Sequence, residues 1–204
     1  TRKESSAASD VYKRQVSAVM PPTVHARGPR ISLTSFDEGD FVEVHAIGSD
    51  SRVVEFMAWG PNSVADTREF LDRAHRPDDA KLTAAVRLNE RLIGTADIDV
   101  SAGDGAAEIG YAFAAGVWGR GYASEAAALL IDIAFDHFDV NRVWATCDQA
   151  NVASARVLEK AGMRYEGLIR DHLEIRGRLR DSLRFGITRV MRAPSPVSYT
   201  HLRA

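Results

Sequence analysis

Between Val117 and Ala127 the chain reads Val-Trp-Gly-Arg-Gly-Tyr-Ala-Ser-Glu-Ala-Ala, a glycine-rich turn that runs from a strand-like segment straight into a helix-like one. Such a junction makes an anion site. The N–H groups of a first helical turn have no intrahelical partner and lie at the positive end of the helix dipole, so they can hold a phosphate. Gly119 and Gly121 admit a close approach to the backbone, having no Cβ and access to dihedrals closed to other residues. A purely structural turn with two glycines is the alternative. A Walker-type loop is excluded, because it needs Lys followed by Ser or Thr after its last glycine and Tyr122 and Ala123 stand there. The dinucleotide fingerprint G-x-G-x-x-G/A is met at Gly119 and Gly121, but Ser124 occupies its third small position. A Rossmann sheet would also need further βα units after the strand expected at Arg142 to Cys147.

About 30 residues downstream, after one expected helix and one expected strand, comes Asn151-Val-Ala-Ser-Ala-Arg-Val-Leu-Glu-Lys-Ala-Gly-Met163. With the two motifs at this separation, the chain resembles the GNAT superfamily of N-acetyltransferases, especially the branch containing the ribosomal-protein-alanine N-acetyltransferases (RimJ/RimL-like). The resemblance covers roughly Arg30 to Met191. It implies acetyl-CoA as cosubstrate, a primary amine as acceptor, and no metal. One residue departs from the family pattern: Trp118 stands where Gln or Arg often opens the phosphate motif. Because the phosphate contacts there come mainly from backbone N–H groups, the departure is expected to be tolerated.

The resemblance also implies roles for individual residues. The pyrophosphate would lie on the N–H groups of Arg120, Gly121, Tyr122, Ala123 and Ser124, beside Gly119. Arg120 would add a charge-assisted contact, or simply be solvated. The pantetheine arm would pair, as an added pseudo-strand, with Ala112 to Val117, which brings Phe113, Ala114, Ala115, Val117 and Trp118 into the cofactor-binding set. A backbone N–H in that segment would polarise the thioester carbonyl as charge develops on its oxygen. Asn151 takes the family's place for a contact to the arm, and is also a natural N-cap for the helix that follows. Ser154 stands where similar acetyltransferases place a serine proposed to protonate the departing thiolate; it reads equally as a small helix residue. Tyr165 and Tyr122 are reserve donors or packing residues. An attacking amine must be neutral, and a chain N-terminus, with a reference pKa of about 7.7–8, is already partly so at cellular pH. A modest base acting through water then suffices. Glu108, on the strand before the turn, is the candidate, with a solvent-facing strand Glu as its alternative.

Composition agrees with one enzyme domain. The 204 residues carry 26 Lys and Arg against 28 Asp and Glu, a net charge of −2, so no general basic field favours nucleic acid or an anionic membrane. No apolar run approaches the ~18 residues of a membrane span. The single cysteine, Cys147, rules out an intrachain disulfide and suits a reducing, cytoplasmic setting. Lying in an apolar strand, it reads as a buried small hydrophobe rather than a nucleophile. His25, His45, His75, His137, His172 and His201 show no ligand spacing with carboxylate or thiol. His45 lies on the apolar face of a helix and reads as a satisfied, partly buried histidine. Ser6 to Gln15 and Val197 to Ala204 resemble translated sequencing-adapter read-through. Residues 1–19 and 195–204 are therefore expected to be non-native or disordered, with a single acetyltransferase domain over 20–194 and Met20 as a start. A monomer or homodimer is expected.

The elements that must position these groups follow from periodicity. Arg30 to Phe36 alternates as a strand. Helices are expected over Asp37 to Ile47, with Asp37 as N-cap, and over Ser63 to Ala74, capped by Ser63 or Asp66. Strands follow at Lys81 to Leu88, Leu92 to Val100 and Ala107 to Phe113, the first two joined by a hairpin at Asn89-Glu90-Arg91. The helix Tyr122 to Phe138, the strand Arg142 to Cys147 and the helix Val152 to Ala161, stopped by Gly162, come next. Strands Tyr165 to Glu174 and Leu183 to Thr188 close the chain around a turn at Arg176-Gly177-Arg178. The fold class is α/β: a GNAT-like mixed, largely antiparallel sheet of six to seven strands with helices on both faces. Local likeness favours a peptide or protein α-amine as acceptor. Arg164, Arg170, Arg176, Arg178, Arg180 and Arg184 offer a partner surface, or are solvated strand faces. A small-molecule amine acetyltransferase (aminoglycoside, amino acid or polyamine) and a non-catalytic acyl-CoA-binding module are the competing functions.

Overall fold

The computed structural model describes residues 22–100 and 104–192. The expectations for residues 1–19 and 195–204, and for Met20 as a start, lie outside the described residues. Among the described residues eight strands form one sheet in the order β1-β2-β3-β4-β5-β6-β8-β7. They are β1 (Val24–Arg27), β2 (Ile31–Thr34), β3 (Lys81–Leu88), β4 (Arg91–Asp99), β5 (Ala106–Phe113), β6 (Arg142–Asp148), β7 (Arg164–Ile175) and β8 (Arg178–Thr188). Every neighbouring pair is antiparallel except β5 with β6. Four α-helices join them: α1 (Phe41–Gly48), α2 (Val64–Ala74), α3 (Tyr122–His137) and α4 (Val152–Lys160).

Local chemistry sets the helix starts. Ser63 and Asp66 form a reciprocal capping box at α2, each side chain accepting from the other's backbone N–H. Asp37 makes the same box with Asp40, but around a short 3-10 turn, Glu38–Asp40, that precedes α1. The sheet is covered on both sides. On one face α3, whose Leu130, Ile131 and Ile133 are wholly buried, packs with α4 against Leu33, Ile93, Ile109, Val143 and Phe185. On the other, α1 and α2 contribute Val44, Ile47 and Leu71 to a smaller core with Ala85, Leu92 and Ala112. Burying such side chains stabilises by about 1.5–3 kcal/mol each, before conformational entropy is set against it.

The sheet exceeds the expected six to seven strands by β1, four residues too short for alternation alone to mark. The β8 strand also starts earlier than expected. Arg176 and Gly177, at φ 51° and 73°, make a two-residue turn, so Arg178 through Ser182 pair with β7 and lengthen the hairpin. At the other end, β5 stops at Phe113 as expected and Ala115–Val117 coils into a 3-10 turn, so the segment expected to pair with the arm, Ala112 to Val117, is extended only at its start.

One ion cluster fixes β3 to the start of α1. The buried Arg87 guanidinium donates to Asp40 Oδ2 at 2.6 Å, Asp37 Oδ2 at 3.0 Å and Thr34 Oγ1 at 3.0 Å. Truncating it strands the buried Asp40 carboxylate. Arg87→Ala is predicted to cost about 3–5 kcal/mol of folding free energy, read as a lowered denaturant midpoint at unchanged slope; a loss below about 1 kcal/mol would show that water compensates Asp40.

Candidate active site

Strands β5 and β6 pair over three positions only, Ala106 to Glu108 against Arg142 to Trp144. Beyond that point β5 keeps β4 as its neighbour and β6 keeps β8, so the two strands part. From Ile109 to Phe113 the main-chain groups aimed away from β4 have no strand partner. Such a row accepts an extended, amide-bearing chain. From Ile109 to Phe113 it runs about 14 Å, at ~3.4 Å per residue.

The glycine turn lies at the open end. Gly119 and Gly121 hold φ 75° and 84°, and Gly121 is the N-cap of α3 with no side-chain cap. The first i→i−4 bond of α3 runs from Glu125 N–H to the Gly121 carbonyl at 3.2 Å, so the N–H groups of Tyr122, Ala123 and Ser124 precede the helical ladder. A Cβ built on Gly119 meets nothing within 4 Å. A phosphate fits this cradle. Trp118 uses its departure from the family pattern structurally: its indole N–H donates to the Phe113 carbonyl at 2.9 Å and bolts the turn to the end of β5. That carbonyl is therefore occupied, while Phe113 itself is buried in the core. Ala114 and Ala115 pack against the α1–α2 core and Val117 against the α3 core. The Arg120 side chain is exposed.

Deeper in the gap, Tyr111 of β5 reaches across to α4, its Oη 2.9 Å from Ser154 Oγ. Burial pushes the Tyr111 phenol above its ordinary range, against the opposing effect of the Ser154 hydrogen bond, so it keeps its proton at neutral pH. Asn151 caps α4, its Oδ1 accepting from Ser154 N–H at 3.0 Å, which is the structural role foreseen for it. The Cys147 thiol on β6 is pushed up to about 11 by burial, so it stays protonated and un-nucleophilic near neutrality. The reserve donors lie elsewhere: Tyr165 is exposed against Phe185, and the Tyr122 ring sits under Arg30. Tyr111 is the residue that sequence reasoning missed. Its one signal is a hydroxyl in the Ile109-x-Tyr111-x-Phe113 row that faces the helices.

Glu108 stands where β5 and β6 part, opposite Asp99 in β4. Burial first, then the Asp97 and Asp99 charges, push its carboxyl up to about 7, with Arg184 opposing. Lys81 pairs with Asp99 at 2.8 Å. Asp97 lies over Gly110, where a Cβ would come within 2.7 Å of its Oδ1. Asp97 is exposed to solvent while protein packs densely around its carboxyl; that crowding, then the charge of Asp99, raises the carboxyl to about 6, with Lys81 opposing. Asp97 floors a cleft of about 810 Å³ whose walls include Ile47, Met57, Trp59 and Phe70. Arg176 holds the loop that carries Met57 and Trp59, donating to the carbonyls of Val54 at 2.9 Å, Glu55 at 3.3 Å and Gly60 at 3.4 Å. Arg180 pairs with Asp148 at 2.9 Å, and Arg184 stacks over Trp144 at 4.5 Å. Half of the expected arginine surface is thus engaged within the chain.

Among the described residues no group of three or more His, Cys, Asp and Glu is arranged to hold a metal ion, and no helix is long and apolar enough to cross a membrane. His45 is satisfied by Thr67, its Nδ1 2.9 Å from Oγ1.

Residues 30–164 match the acetyltransferase (GNAT) domain family. An uncharacterized N-acetyltransferase of Bacillus subtilis (strain 168), YnaD, is 30% identical over 147 residues, which is 72% of this chain and 86% of the relative. Among solved structures, a GNAT-family acetyltransferase from Bacillus anthracis superposes with a TM-score of 0.74 at 29% identity, covering 80% of this chain and 98% of the other. Mycobacterium smegmatis RimJ, in complex with CoA-disulfide, gives 0.71 at 26% identity, covering 84% and 87%. With the parted strands, the glycine turn and the family match in agreement, the chain belongs to the GNAT acetyltransferase family and is an N-acetyltransferase.

Proposed function

We propose that acetyl-CoA binds with its pyrophosphate on the glycine turn and its arm along β5, and that its acetyl group passes directly to a protein or peptide α-amine held in the Asp97 cleft. The observation that carries this reading is Glu108, a carboxyl near pH 7 at the point where the strands part. Bound acetyl-CoA supplies a thioester. One of the N–H groups aimed away from β4, at residue 109, 111 or 113, donates to its carbonyl, where negative charge develops on oxygen. Glu108 takes the proton of the attacking amine, directly or through one water. Ser154 Oγ gives a proton to the departing sulfur and regains one from solvent as CoA leaves, while Tyr111 Oη, 2.9 Å away and protonated, holds the hydroxyl in place. The CoA-disulfide in the RimJ relative supports the choice of cosubstrate.

Matching proton affinities supports an α-amine over a lysine-type amine as acceptor. Moving a proton from an α-amine to a carboxyl of pKa about 7 costs about 1 kcal/mol, whereas taking it from an alkyl ammonium of lysine type costs about 4–5 kcal/mol. Initial rates of CoA release with a panel of peptides, Nα-acetylated lysine peptides, aminoglycosides, amino acids and polyamines test this. Peptides with free α-amines are predicted to lead by at least about tenfold at pH 7. Preference for a polyamine or aminoglycoside would move the function to the small-molecule class, and CoA binding without turnover on any amine would indicate a binding module.

A further inference from the structure

The hairpin between β1 and β2 reaches the first turn of α3 through one residue. Arg30 Nε donates to Glu125 Oε2 at 2.8 Å, and Arg30 Nη1 donates to the Arg120 carbonyl at 2.8 Å. The Arg30 guanidinium also lies 4.8 Å above the centre of the Tyr122 ring. Glu125 answers by accepting the backbone N–H groups of Arg30 at 2.8 Å and Ile31 at 3.1 Å on Oε1. Gly28 makes room for this carboxylate, since a Cβ there would stand 2.6 Å from Oε1. We infer that Arg30 is a positioning residue for pyrophosphate binding: it fixes the peptide plane that aims the Gly121 N–H and neutralises Glu125 beside the anion site. The inference rests on the reading of the glycine turn as the pyrophosphate cradle.

The directional part is stereochemical. In a trans peptide the C=O of residue 120 and the N–H of residue 121 point to opposite sides of the chain. Holding the Arg120 oxygen against Arg30 therefore turns the Gly121 N–H away from the hairpin. At φ 84°, and with no side chain, Gly121 sits in a broad well, and without an external contact this plane is free to rotate. The second part is electrostatic. Glu125 lies in the first turn of α3, only 10% exposed, where an uncompensated carboxylate would oppose a phosphate on the same N–H groups. Arg30 supplies the compensating charge. Its side chain is 47% exposed, and ion pairs of that kind contribute little to stability, so the contact's main effect falls on the turn rather than on the fold.

The test is calorimetric titration of the full chain with CoA, alongside apo melting temperatures and the NMR shift of the Gly121 amide on CoA addition. Arg30→Ala is expected to weaken CoA by about tenfold or more and to shrink the Gly121 amide response, with the apo melting temperature moved by only a few degrees. Arg30→Lys keeps the charge but cannot bridge Glu125 and the Arg120 carbonyl together, so it is expected to recover part of the affinity. An Arg30→Ala protein that binds CoA within twofold of wild type would overturn the inference. So would a loss of affinity that tracks a collapse in melting temperature. Wild-type protein that binds no CoA would overturn the cradle reading itself, and this inference with it.

Discussion

Replacing Glu108 by Gln is expected to lower kcat/KM by about 10²- to 10⁴-fold at pH 8, the usual range for losing a positioned general base. The amide keeps the carboxyl's size, so packing is preserved. In the wild type the rate should climb with pH and level off above about 7, as Glu108 loses its proton, and the variant should lose that limb. The same substitution should raise stability. The Glu108 carboxyl ionises at about 7 in the fold against about 4.5 ordinarily, so between those values the folded chain binds more protons than the unfolded one. Its contribution to stability is therefore full below about 4.5 and falls as pH rises through 7. Gln removes that loss, so the variant should melt higher than wild type at pH 8 and close to it at pH 4. Activity lost with stability gained marks a group strained by its task. Unchanged rates across the pH range would dismiss Glu108 as the base.

Gly121→Val is expected to weaken acetyl-CoA by about 10- to 100-fold, read by calorimetry. A β-branched residue at φ 84° is strained by about 1–3 kcal/mol, and its Cβ would sit 3.3 Å from Arg30 Nη2. The arginine tip can move; the backbone dihedral cannot stay. Turning the plane to relieve strain redirects the Gly121 N–H and places a branched side chain at the cradle. Gly121 is exposed and belongs to neither core, so the fold should persist with a modestly lowered melting temperature. Affinity equal to wild type would remove the glycine turn from the cofactor site.

What the sequence made legible here is mostly local. The Ser63 and Asp66 cap, the Asn151 cap, the glycine turn and the apolar stripe of α3 each depend on residues a few positions apart. The gap between β5 and β6 does not. It exists because β6 leaves β5 after Trp144 to follow β8, a partner whose register is set some 40 residues later, at Arg142↔Thr188 through Asp148↔Ser182. Tyr111 escaped notice for the same reason, since Ser154 lies 43 residues away and only the parting of the strands lets them meet. Alternation places Asp97 on one face of β4, yet its opening to the cleft requires Gly110 directly across the sheet. The end of β5 at Phe113 was legible, but the segment expected to pair with the pantetheine arm ran on to Val117, where the chain instead coils; the Trp118 indole on the Phe113 carbonyl is what the coiled turn satisfies. The early start of β8 was hidden by its polar residues, which a two-residue turn nonetheless brings into register.

The proposed direct transfer within one ternary complex is tested most directly by two-substrate kinetics. Cys147 is the chain's one thiol, buried and pushed up to about 11, which leaves it unsuited to carry an acetyl group between substrates. With the best amine from the panel, varying acetyl-CoA at several fixed amine concentrations is predicted to give intersecting double-reciprocal lines. Parallel lines, with acetylated enzyme accumulating when the amine is withheld, would contradict it by revealing a covalent intermediate.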